Sequence, residues 1–260
     1  MLRAFADTGI AITVTVPNDL ILQLTKLDFA HQWVKTNIVP HARATNIVRI
    51  LVGNEVLSTS NKLLITNLVP SMQTLQNALI KESLDHKIKI STPHSLGILP
   101  NNGVFDENTN IIYANMLDGQ LDAVFSAIKR LGFVDIDIVI AETGWPSRGD
   151  TGQTGVDAEC AAEYNRKLIQ HVTSDIGTPL MPNRTFETYI FGLFNEDLKP
   201  GPTCERNFGL FRPNFTPVYD IGILKPMVAN AAKKIQQTSL VIILLHILDG
   251  LLLEYLGLAG

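Results

Sequence analysis

Two glutamates directly follow apolar stretches of the chain, where a carboxylate contributes little to packing. Glu142 follows the run 136–141 and opens the turn 143–147, and Glu55 comes shortly after the run 47–52. Cleavage of a bond between two sugars needs a proton for the leaving oxygen and an electron pair for the reacting carbon, which one carboxyl group cannot supply alone. The two positions therefore indicate paired acid and nucleophile chemistry on a glycosidic bond.

The roles of the two carboxyl groups follow from a retaining double displacement. One glutamate attacks the anomeric carbon while the other donates and then recovers a proton, and the two groups must lie about 5 Å apart. We assign the acid/base role to Glu55 and the nucleophile role to Glu142. Asn54 can donate its amide to a sugar hydroxyl next to the reacting carbon. A structural alternative exists for each glutamate, which can instead cap a helix or pair with an arginine.

A charged loop and several aromatic residues are further candidates for the site. Residues 195–211 interleave charges with glycine and proline, which fits either a rigid loop over a site or a solvated turn. The aromatic side chains that can stack on the apolar faces of sugar rings, or else belong to the core, are Trp145, Phe194, Phe208 and Phe211.

The order of the predicted elements is an alternation of strands and helices. Apolar runs predict strands at 11–16, 47–52, 88–91, 136–141 and 188–194. Helical periodicity predicts helices at 19–39, 59–82, 112–131 and 157–174. The stripe of helix 59–82 that should face the core is Leu63, Leu64, Leu68, Met72, Leu75 and Leu79.

Strands that are apolar on both faces predict a parallel sheet covered by helices. In a β/α barrel all reacting groups gather at the carboxyl ends of the strands, where Asn54, Glu55 and Glu142 fall. An open doubly wound sheet fits the same order of elements, although the chain has no glycine-rich phosphate loop.

Composition bounds the class of protein. A length of 260 residues, 46% of them hydrophobic, suits one large α/β domain. A net charge of −4 leaves no basic surface for nucleic acid, which is excluded as a partner. The six histidines lack metal-ligand spacing and no Gly-x-Ser-x-Gly motif occurs, so we expect no metal, no other cofactor and no serine nucleophile.

Cysteines and sequons bear on the compartment. Cys160 and Cys204 are either two isolated thiols or one optional bridge. Asn183 and Asn214 begin N-x-T sequons, which would accept glycans if the chain were secreted. The amino-terminal residues show no signal peptide.

Three motifs together resemble one family. They are Val52-Gly53-Asn54-Glu55-Val56, Ile140-Ala141-Glu142-Thr143-Gly144-Trp145-Pro146-Ser147 and Phe194-Asn195-Glu196-Asp197-Leu198-Lys199-Pro200-Gly201-Pro202. They are similar to plant glycoside hydrolase family 17, the glucan endo-1,3-β-glucosidases, and the similarity covers a partial catalytic domain at residues 1–227. The resemblance implies an (β/α)8 TIM barrel that cleaves internal β-1,3-glucan (callose) links with retention. It also implies a monomer located outside the cell, in the cell wall, or anchored to the plasma membrane.

The resemblance also assigns individual residues. By position, Glu55 matches the acid of the family and Glu142 its nucleophile. Glu196, Lys199 and Glu205 match charged residues that support the cleft. Trp145, Phe208 and Asn54 complete the set expected to bind substrate, and Pro17-Asn18 resembles the end of the third barrel strand.

The chain departs from the family pattern in ways that predict an incomplete barrel. Strands corresponding to the first, second and sixth of the family have no counterpart, the sixth being missing between residues 95–100 and 102–106. Missing strands would expose sheet edges and displace the walls of the cleft. We therefore expect a truncated or mis-spliced hydrolase. The alternative is a catalytically inactive remnant that binds glucan or binds nothing, or that is tethered to a membrane.

The tail, residues 228–260, matches nothing in the family. Its segment 240–258 is almost entirely apolar but contains His246, Asp249 and Glu254. Two acids make it a poor membrane span, since each is costly at the bilayer centre. The segment fits an amphipathic or aggregation-prone helix, or a cleaved lipid-anchor signal through which the protein would associate with membranes.

Overall fold

The computed structural model describes residues 2–94, 105–106, 110–222 and 242–243. The chain divides into two compact units, which are described separately. The first contains the described residues 2–94, and the second contains the rest. Within each unit strands alternate with helices, so the α/β class predicted from the sequence is confirmed.

The first unit is built on a three-stranded parallel sheet. Its strands are β1 (Ala11–Val16), β2 (Asn46–Val52) and β3 (Lys89–Ser91), in the order β1-β2-β3. Both neighbouring pairs are parallel, as the apolar character of the strands predicts. The three strands match the predicted ones to within one residue at either end, and β2 lies at the centre of the sheet.

Three helices connect these strands. The predicted helix 19–39 is two helices, α1 (Ile21–Leu24) and α2 (Leu27–Asn37), which follow a 3₁₀ turn at Asn18–Leu20. The break lies at Thr25, whose hydroxyl donates to the Leu22 carbonyl 2.7 Å away and so competes with the helical pattern. The third, α3 (Lys62–Lys81), starts where the Asn61 side chain accepts the amide hydrogens of the next turn.

The core of the first unit lies between the sheet and α1, α2 and α3. Its fully buried side chains include Val16, Ile21, Leu24, Val34, Ile47, Ile50, Val52, Leu75 and Leu79. The stripe predicted for α3 is confirmed at Leu68, Leu75 and Leu79. It is wrong at Leu63, which is 57% exposed because it lies in the first turn of α3, where the capping residue faces solvent.

The second unit contains a second three-stranded parallel sheet and a short antiparallel hairpin. The hairpin is β4 (Phe105–Asp106) with β5 (Ile111–Ile112). The sheet has the order β6 (Ile140–Thr143), β7 (Thr188–Ile190) and β8 (Ile242–Ile243). Among the described residues, the parallel strands thus form two sheets of three strands each.

Two predicted strands of this unit are shorter than expected. Residues 136–139 lie outside β6, and the Ile136 carbonyl accepts from the Arg184 guanidinium at 2.8 Å. Residues 191–194 lie outside β7, because the chain there pairs with a later segment instead. The Phe211 amide donates to the Leu193 carbonyl, and the Asn195 amide donates to the Phe211 carbonyl.

The strand β8 falls in the apolar tail. The helix predicted for 240–258 is wrong at Ile242 and Ile243, which pair in parallel with Tyr189 and Ile190 of β7. Adjacent β-branched residues favour an extended backbone, and β7 offers a free edge beyond β6. The rest of that prediction lies outside the described residues.

The helices of the second unit are α4 (Met116–Arg130) and α5 (Ala158–Val172). The predicted helix 157–174 is confirmed, whereas the predicted start of helix 112–131 is wrong, because Ile112 belongs to β5 and the helix begins only after Asn115. Each begins at a capping side chain, Asn115 for α4 and Asp157 for α5. The core side chains of this unit are Leu121, Ile140, Leu168, Val172, Met181, Phe186, Ile190, Leu210 and Ile221.

The cysteines are two free thiols, which confirms the first of the two alternatives. Cys160 lies in the first turn of α5, where its backbone amide and thiol both bond to Asp157. These bonds lower the pKa of the Asp157 carboxyl and raise the pKa of the Cys160 thiol. Cys160 is therefore protonated at neutral pH and a poor nucleophile.

None of the helices described in the structure combines the length and apolar character that crossing a membrane requires.

The packing of α3 predicts a clear contrast between two leucines. Leu75→Ala should lower the free energy of unfolding by about 2–5 kcal/mol, because it leaves a cavity in the core of the first unit. Leu63→Ala, on the same helix, should change it by less than about 0.5 kcal/mol. Urea denaturation followed by circular dichroism measures both, and equal effects would contradict the assigned face of α3.

Candidate active site

Glu55 lies just beyond β2 on an irregular backbone. The strand ends at Val52, and Glu55 follows with φ 47° and ψ 36°, in the left-handed region, before a 3₁₀ turn at Val56–Ser58. A left-handed residue other than glycine costs about 1–2 kcal/mol, and such strain concentrates at functional sites. The side chain of Glu55 is exposed, whereas that of the next residue, Val56, is fully buried.

Gly53 makes this turn possible. Its φ is +70°, a value that residues with a side chain rarely adopt. A Cβ atom built on Gly53 would lie 2.5 Å from Val56 Cγ2 and 2.8 Å from Asn18 Oδ1. Glycine is therefore required both for the backbone angle and for the close approach of Asn18.

Asn54, between these two residues, is held by Asn18. The Asn54 amide donates to Asn18 Oδ1 at 2.7 Å, and Asn18 Nδ2 donates to the Asn54 carbonyl at 3.1 Å. The side chain of Asn54 is half-buried. From the sequence, Asn18 is predicted only to lie at the end of a strand, although an asparagine after a strand-ending proline is typical of a side chain that bonds to backbone.

Glu142 lies within a β-bulge of β6. Ile140 pairs with Thr188 and Thr143 pairs with Ile190, so three steps along β6 match two along β7. The additional residue lies between Ile140 and Thr143, in the stretch that contains Glu142. A bulge redirects side chains and is over-represented next to active sites. Glu142 is exposed, although it belongs to a strand whose first residue is buried.

Phe191 contacts both the end of β6 and the loop 195–211. Its amide donates to the Thr143 carbonyl at 2.9 Å. A Cβ atom on Gly144 would overlap the Phe191 carbonyl oxygen, so only glycine fits there. The ring of Phe191 lies 5.5 Å from that of Phe208, edge to face, and 4.9 Å below Lys199 Nζ.

Trp145 is a fixed and partly exposed aromatic surface. Its ring lies 5.3 Å from the ring of Tyr164, and its Nε1 donates to the Gly155 carbonyl at 2.7 Å. The hydroxyls of Tyr164 and Thr143 are 2.6 Å apart and share a hydrogen bond. With 38% of its surface exposed, Trp145 can present a rigid ring to a ligand.

The other aromatic candidates divide between the two alternatives. Phe208 is half-buried beside Phe191. Phe211 packs against the core of the second unit, so the core alternative applies to it. Phe194 lies between Phe211 and Phe215, with ring centroids 6.2 Å and 5.3 Å away.

The structure brings the three predicted charged residues together. Lys199 Nζ lies 3.5 Å from Glu196 Oε2 and 3.2 Å from Glu205 Oε2. One ammonium therefore neutralises one of two carboxylates, and the cluster keeps a charge of −1. Carboxylates and ammonium in this arrangement can bond to the hydroxyls of a sugar.

The loop 195–211 is held in a defined shape, as the rigid-loop alternative requires. The Glu196 amide donates to the Arg206 carbonyl at 3.1 Å, and Arg206 Nη1 donates to the Gly201 carbonyl at 2.8 Å. Ser147 ties the loop to the turn after β6, because its amide and its hydroxyl both donate to the Asn207 carbonyl.

The eight predicted site residues fall in both units. Asn54 and Glu55 belong to the first, and Glu142, Trp145, Glu196, Lys199, Glu205 and Phe208 belong to the second. In the part of the chain that the structure describes, no three histidine, cysteine, aspartate or glutamate side chains converge as ligands for a metal ion would.

Comparison with known proteins gives one family. The model of "Glycosyl hydrolases family 17" matches residues 1–110 and 103–223. A glucan endo-1,3-beta-glucosidase of Triticum aestivum is 38% identical over 284 residues, covering 86% of this chain and 61% of the relative. Glucan endo-1,3-beta-glucosidase 7 of Arabidopsis thaliana is 36% identical, covering 86% of this chain and 56% of the relative. The chain thus spans about three fifths of the length of these relatives.

Solved structures share the fold. CJP38, a β-1,3-glucanase and allergen of Cryptomeria japonica pollen, superposes with a TM-score of 0.76 at 35% identity, over 85% of this chain and 86% of that one. One of two plant β-glucan endohydrolases with distinct substrate specificities gives 0.73 at 28% identity, over 85% and 87%.

The contact between Gly144 and Phe191 predicts a sensitive position. Gly144→Ala should lower the free energy of unfolding by about 1–3 kcal/mol, because the new methyl group overlaps a backbone carbonyl that cannot rotate away. Gly119→Ala is the control. Its methyl group would make an ordinary 3.5 Å contact with Tyr113, and alanine in the interior of α4 should stabilise by about 0.5–1 kcal/mol. Urea denaturation measures both, and an unchanged Gly144→Ala variant would contradict the described turn.

Proposed function

The chain belongs to the glycosyl hydrolases of family 17, and on that basis we propose that it hydrolyses internal β-1,3-glucosidic bonds of β-1,3-glucan with retention. One observation carries the proposal. Glu55 and Glu142 each lie at the carboxyl end of a parallel strand, exposed, on backbone that departs from regular strand geometry. An exposed carboxylate on irregular backbone at the end of a strand is the placement that acid and nucleophile chemistry needs, and at Glu55 the backbone is also strained.

The first step transfers the sugar to the protein. Glu142 attacks the anomeric carbon with a carboxylate oxygen, and protonated Glu55 donates its proton to the glycosidic oxygen. The bond between the anomeric carbon and that oxygen breaks, and the shortened glucan leaves as an alcohol. The product is a glucosyl ester of Glu142 with inverted configuration.

The second step restores Glu142. Glu55, now a carboxylate, removes a proton from water as the water oxygen attacks the anomeric carbon. The ester bond breaks, Glu142 leaves as a carboxylate, and a second inversion gives net retention. The reaction requires the two carboxyl groups to lie about 5 Å apart.

The remaining site residues bind the glucan in this proposal. The side-chain amide of Asn54 donates to a hydroxyl next to the reacting carbon. The exposed ring of Trp145 stacks on the apolar face of a glucose unit, and Phe208 extends that surface. Glu196, Lys199 and Glu205 bond to hydroxyls further along the polymer.

We propose that the chain acts as a monomer, because both glutamates come from one polypeptide. The substrate class is supported by the wheat, Arabidopsis and pollen proteins to which this chain is similar, which are named as 1,3-β-glucanases. Light scattering coupled to gel filtration tests the monomer, and a stable dimer would contradict it.

We propose that this chain has an internal omission at residues 95–105, where the strand that corresponds to the sixth of the family would lie. The alignment with the wheat relative supports an internal omission, since its 284 residues exceed the 260 of this chain. The family model also matches in two segments that overlap at residues 103–110. A transcript read across residues 95–105 tests the omission, and a genomic sequence that is continuous there, with no intron or skipped exon, would contradict mis-splicing.

We propose that residues 1–227 form the catalytic part, which is supported by the end of the family match at 223, and that residues 228–260 are a tail outside the family pattern, of which Ile242 and Ile243 pair with β7. The protein would act in the cell wall, outside the cell, or held at the plasma membrane by that tail. Asn183 and Asn214, which begin the two sequons, are both exposed. Extraction with and without detergent tests the membrane association, which release by salt alone would exclude.

Substitution of the glutamates tests the proposed reaction. Glu142→Gln should lower the release of reducing ends from β-1,3-glucan by more than about 10⁴-fold, because the nucleophile is lost. Glu55→Gln should lower it by about 10²–10⁴-fold, because only general acid catalysis is lost. Glu163→Gln is the control, since Glu163 is an exposed residue of α5 that pairs with Lys167. It should keep wild-type activity.

The same variants separate the roles of the two glutamates and the alternative function. In azide, Glu142→Ala should form an α-glucosyl azide from an activated β-glucoside, whereas Glu55→Ala should form a β-glucosyl azide. Products of the opposite configuration would show that Glu55 is the nucleophile and Glu142 the acid/base. If wild type and Glu142→Gln are equally inactive, hydrolysis by this chain is excluded. Retention of both on insoluble β-1,3-glucan would then identify a glucan-binding remnant.

A further inference from the structure

The side chain of Asn18 forms two hydrogen bonds to the backbone of Asn54. Its Oδ1 accepts from the Asn54 amide at 2.7 Å, and its Nδ2 donates to the Asn54 carbonyl at 3.1 Å. Both bonds are within the normal range for N–H to oxygen.

These bonds lie directly beyond the last paired residues of β1 and β2. The paired register runs to Val16 and Val52, and the Gly53 amide then donates to the Val16 carbonyl at 2.8 Å. Pro17 follows Val16 and has no amide hydrogen to offer. Asn18 then enters a 3₁₀ turn, so the backbone of β1 leaves the sheet, and the side chain of Asn18 makes the next contact with the chain that follows β2.

The backbone of Asn18 is fixed by the 3₁₀ turn to which it belongs. The 3₁₀ turn Asn18–Leu20 begins directly after Pro17, and the Leu20 amide donates to the Pro17 carbonyl at 3.2 Å. The turn leads into Ile21, which is fully buried in the core of the first unit. The backbone of Asn18 is therefore connected to that core, while its side chain bonds to the backbone of Asn54.

The segment that Asn18 holds has a strained backbone, which the bonds from the Gly53 amide to the Val16 carbonyl and from the Ser58 amide to the Glu55 carbonyl hold on either side of Asn54. Gly53 and Glu55 both have left-handed backbone angles, at φ 70° and 47°. Asn54 lies between them, and its amide and carbonyl would lose both of these partners without Asn18. A strained conformation persists only where its surroundings over-determine it.

We infer that Asn18 is a positioning residue for the catalytic acid, which fixes the direction of Glu55 by holding the backbone of Asn54. The inference rests on the proposed function. A carboxamide is the one side chain of this length with an acceptor and a donor side by side. Aspartate keeps only the acceptor, and leucine has neither.

Three full-length variants test this role. Asn18→Leu should lower kcat on β-1,3-glucan by about 10²-fold with KM changed less than about twofold, since displacement of a catalytic group by about 1 Å has that effect. Asn18→Gln can restore both bonds and should recover most of kcat. Thr45→Val is the matched control, because it removes the buried hydrogen bond from Thr45 to the Leu2 carbonyl at the opposite end of β2. It should destabilise the first unit and leave kcat unchanged.

A measurement independent of activity separates this inference from the proposed function. Amide hydrogen exchange, followed by NMR on the labelled full chain, should be at least about tenfold faster at Asn54 in Asn18→Leu than in wild type and in Thr45→Val. Unchanged exchange overturns the inference, whether or not the wild type hydrolyses glucan. Faster exchange with a kcat no lower than that of Thr45→Val overturns the positioning role. An inactive wild type with faster exchange in Asn18→Leu counts against the proposed hydrolysis and supports the hold on Asn54.

Discussion

Departure from regular strand geometry at the ends of β2 and β6 is the constraint on which the chemistry depends. A regular parallel strand directs alternate side chains to its two faces, and in an α/β fold both faces are covered. An exposed carboxylate therefore needs an interruption of that pattern. At β2 the left-handed angles of Gly53 and Glu55 supply it, and at β6 the bulge around Glu142 does. The two glutamates thus reach solvent through two different backbone irregularities.

Each of these irregularities is stabilised by neighbouring residues that take no part in the proposed reaction. At β2 the support is the side-chain amide of Asn18, which bonds to the backbone of Asn54 just beyond the last paired residues of β1 and β2. At β6 it is Phe191, whose amide holds Thr143 and whose ring is packed between Phe208 and Lys199. These contacts make the active-site backbone a consequence of packing in each unit. Loss of either support would alter catalysis without touching a carboxylate.

The sequence predicts the elements well and their irregularities poorly. Apolar runs gave β1 and β2 within a residue, because strands buried on both faces leave a continuous signal. The break at Thr25 was missed because a hydroxyl that bonds its own helix has no signature in periodicity. The motifs that resemble the family named both glutamates, but no spacing rule predicts the bulge at Glu142 or the left-handed angle at Glu55. Those depend on contacts between residues distant in sequence, such as Asn18 with Asn54.

The charge of the second unit also favours the class of substrate proposed here. Four carboxylates, at Glu142, Glu196, Asp197 and Glu205, stand against two cations, Lys199 and Arg206, in Glu142 and the loop 195–211 taken together. A polyanion such as nucleic acid or a phosphorylated glycan would meet net repulsion there. A neutral polyol loses little by approaching carboxylates, because each of its hydroxyls can donate a hydrogen bond to them. This excess of carboxylates therefore agrees with the uncharged sugar polymer that we propose as substrate.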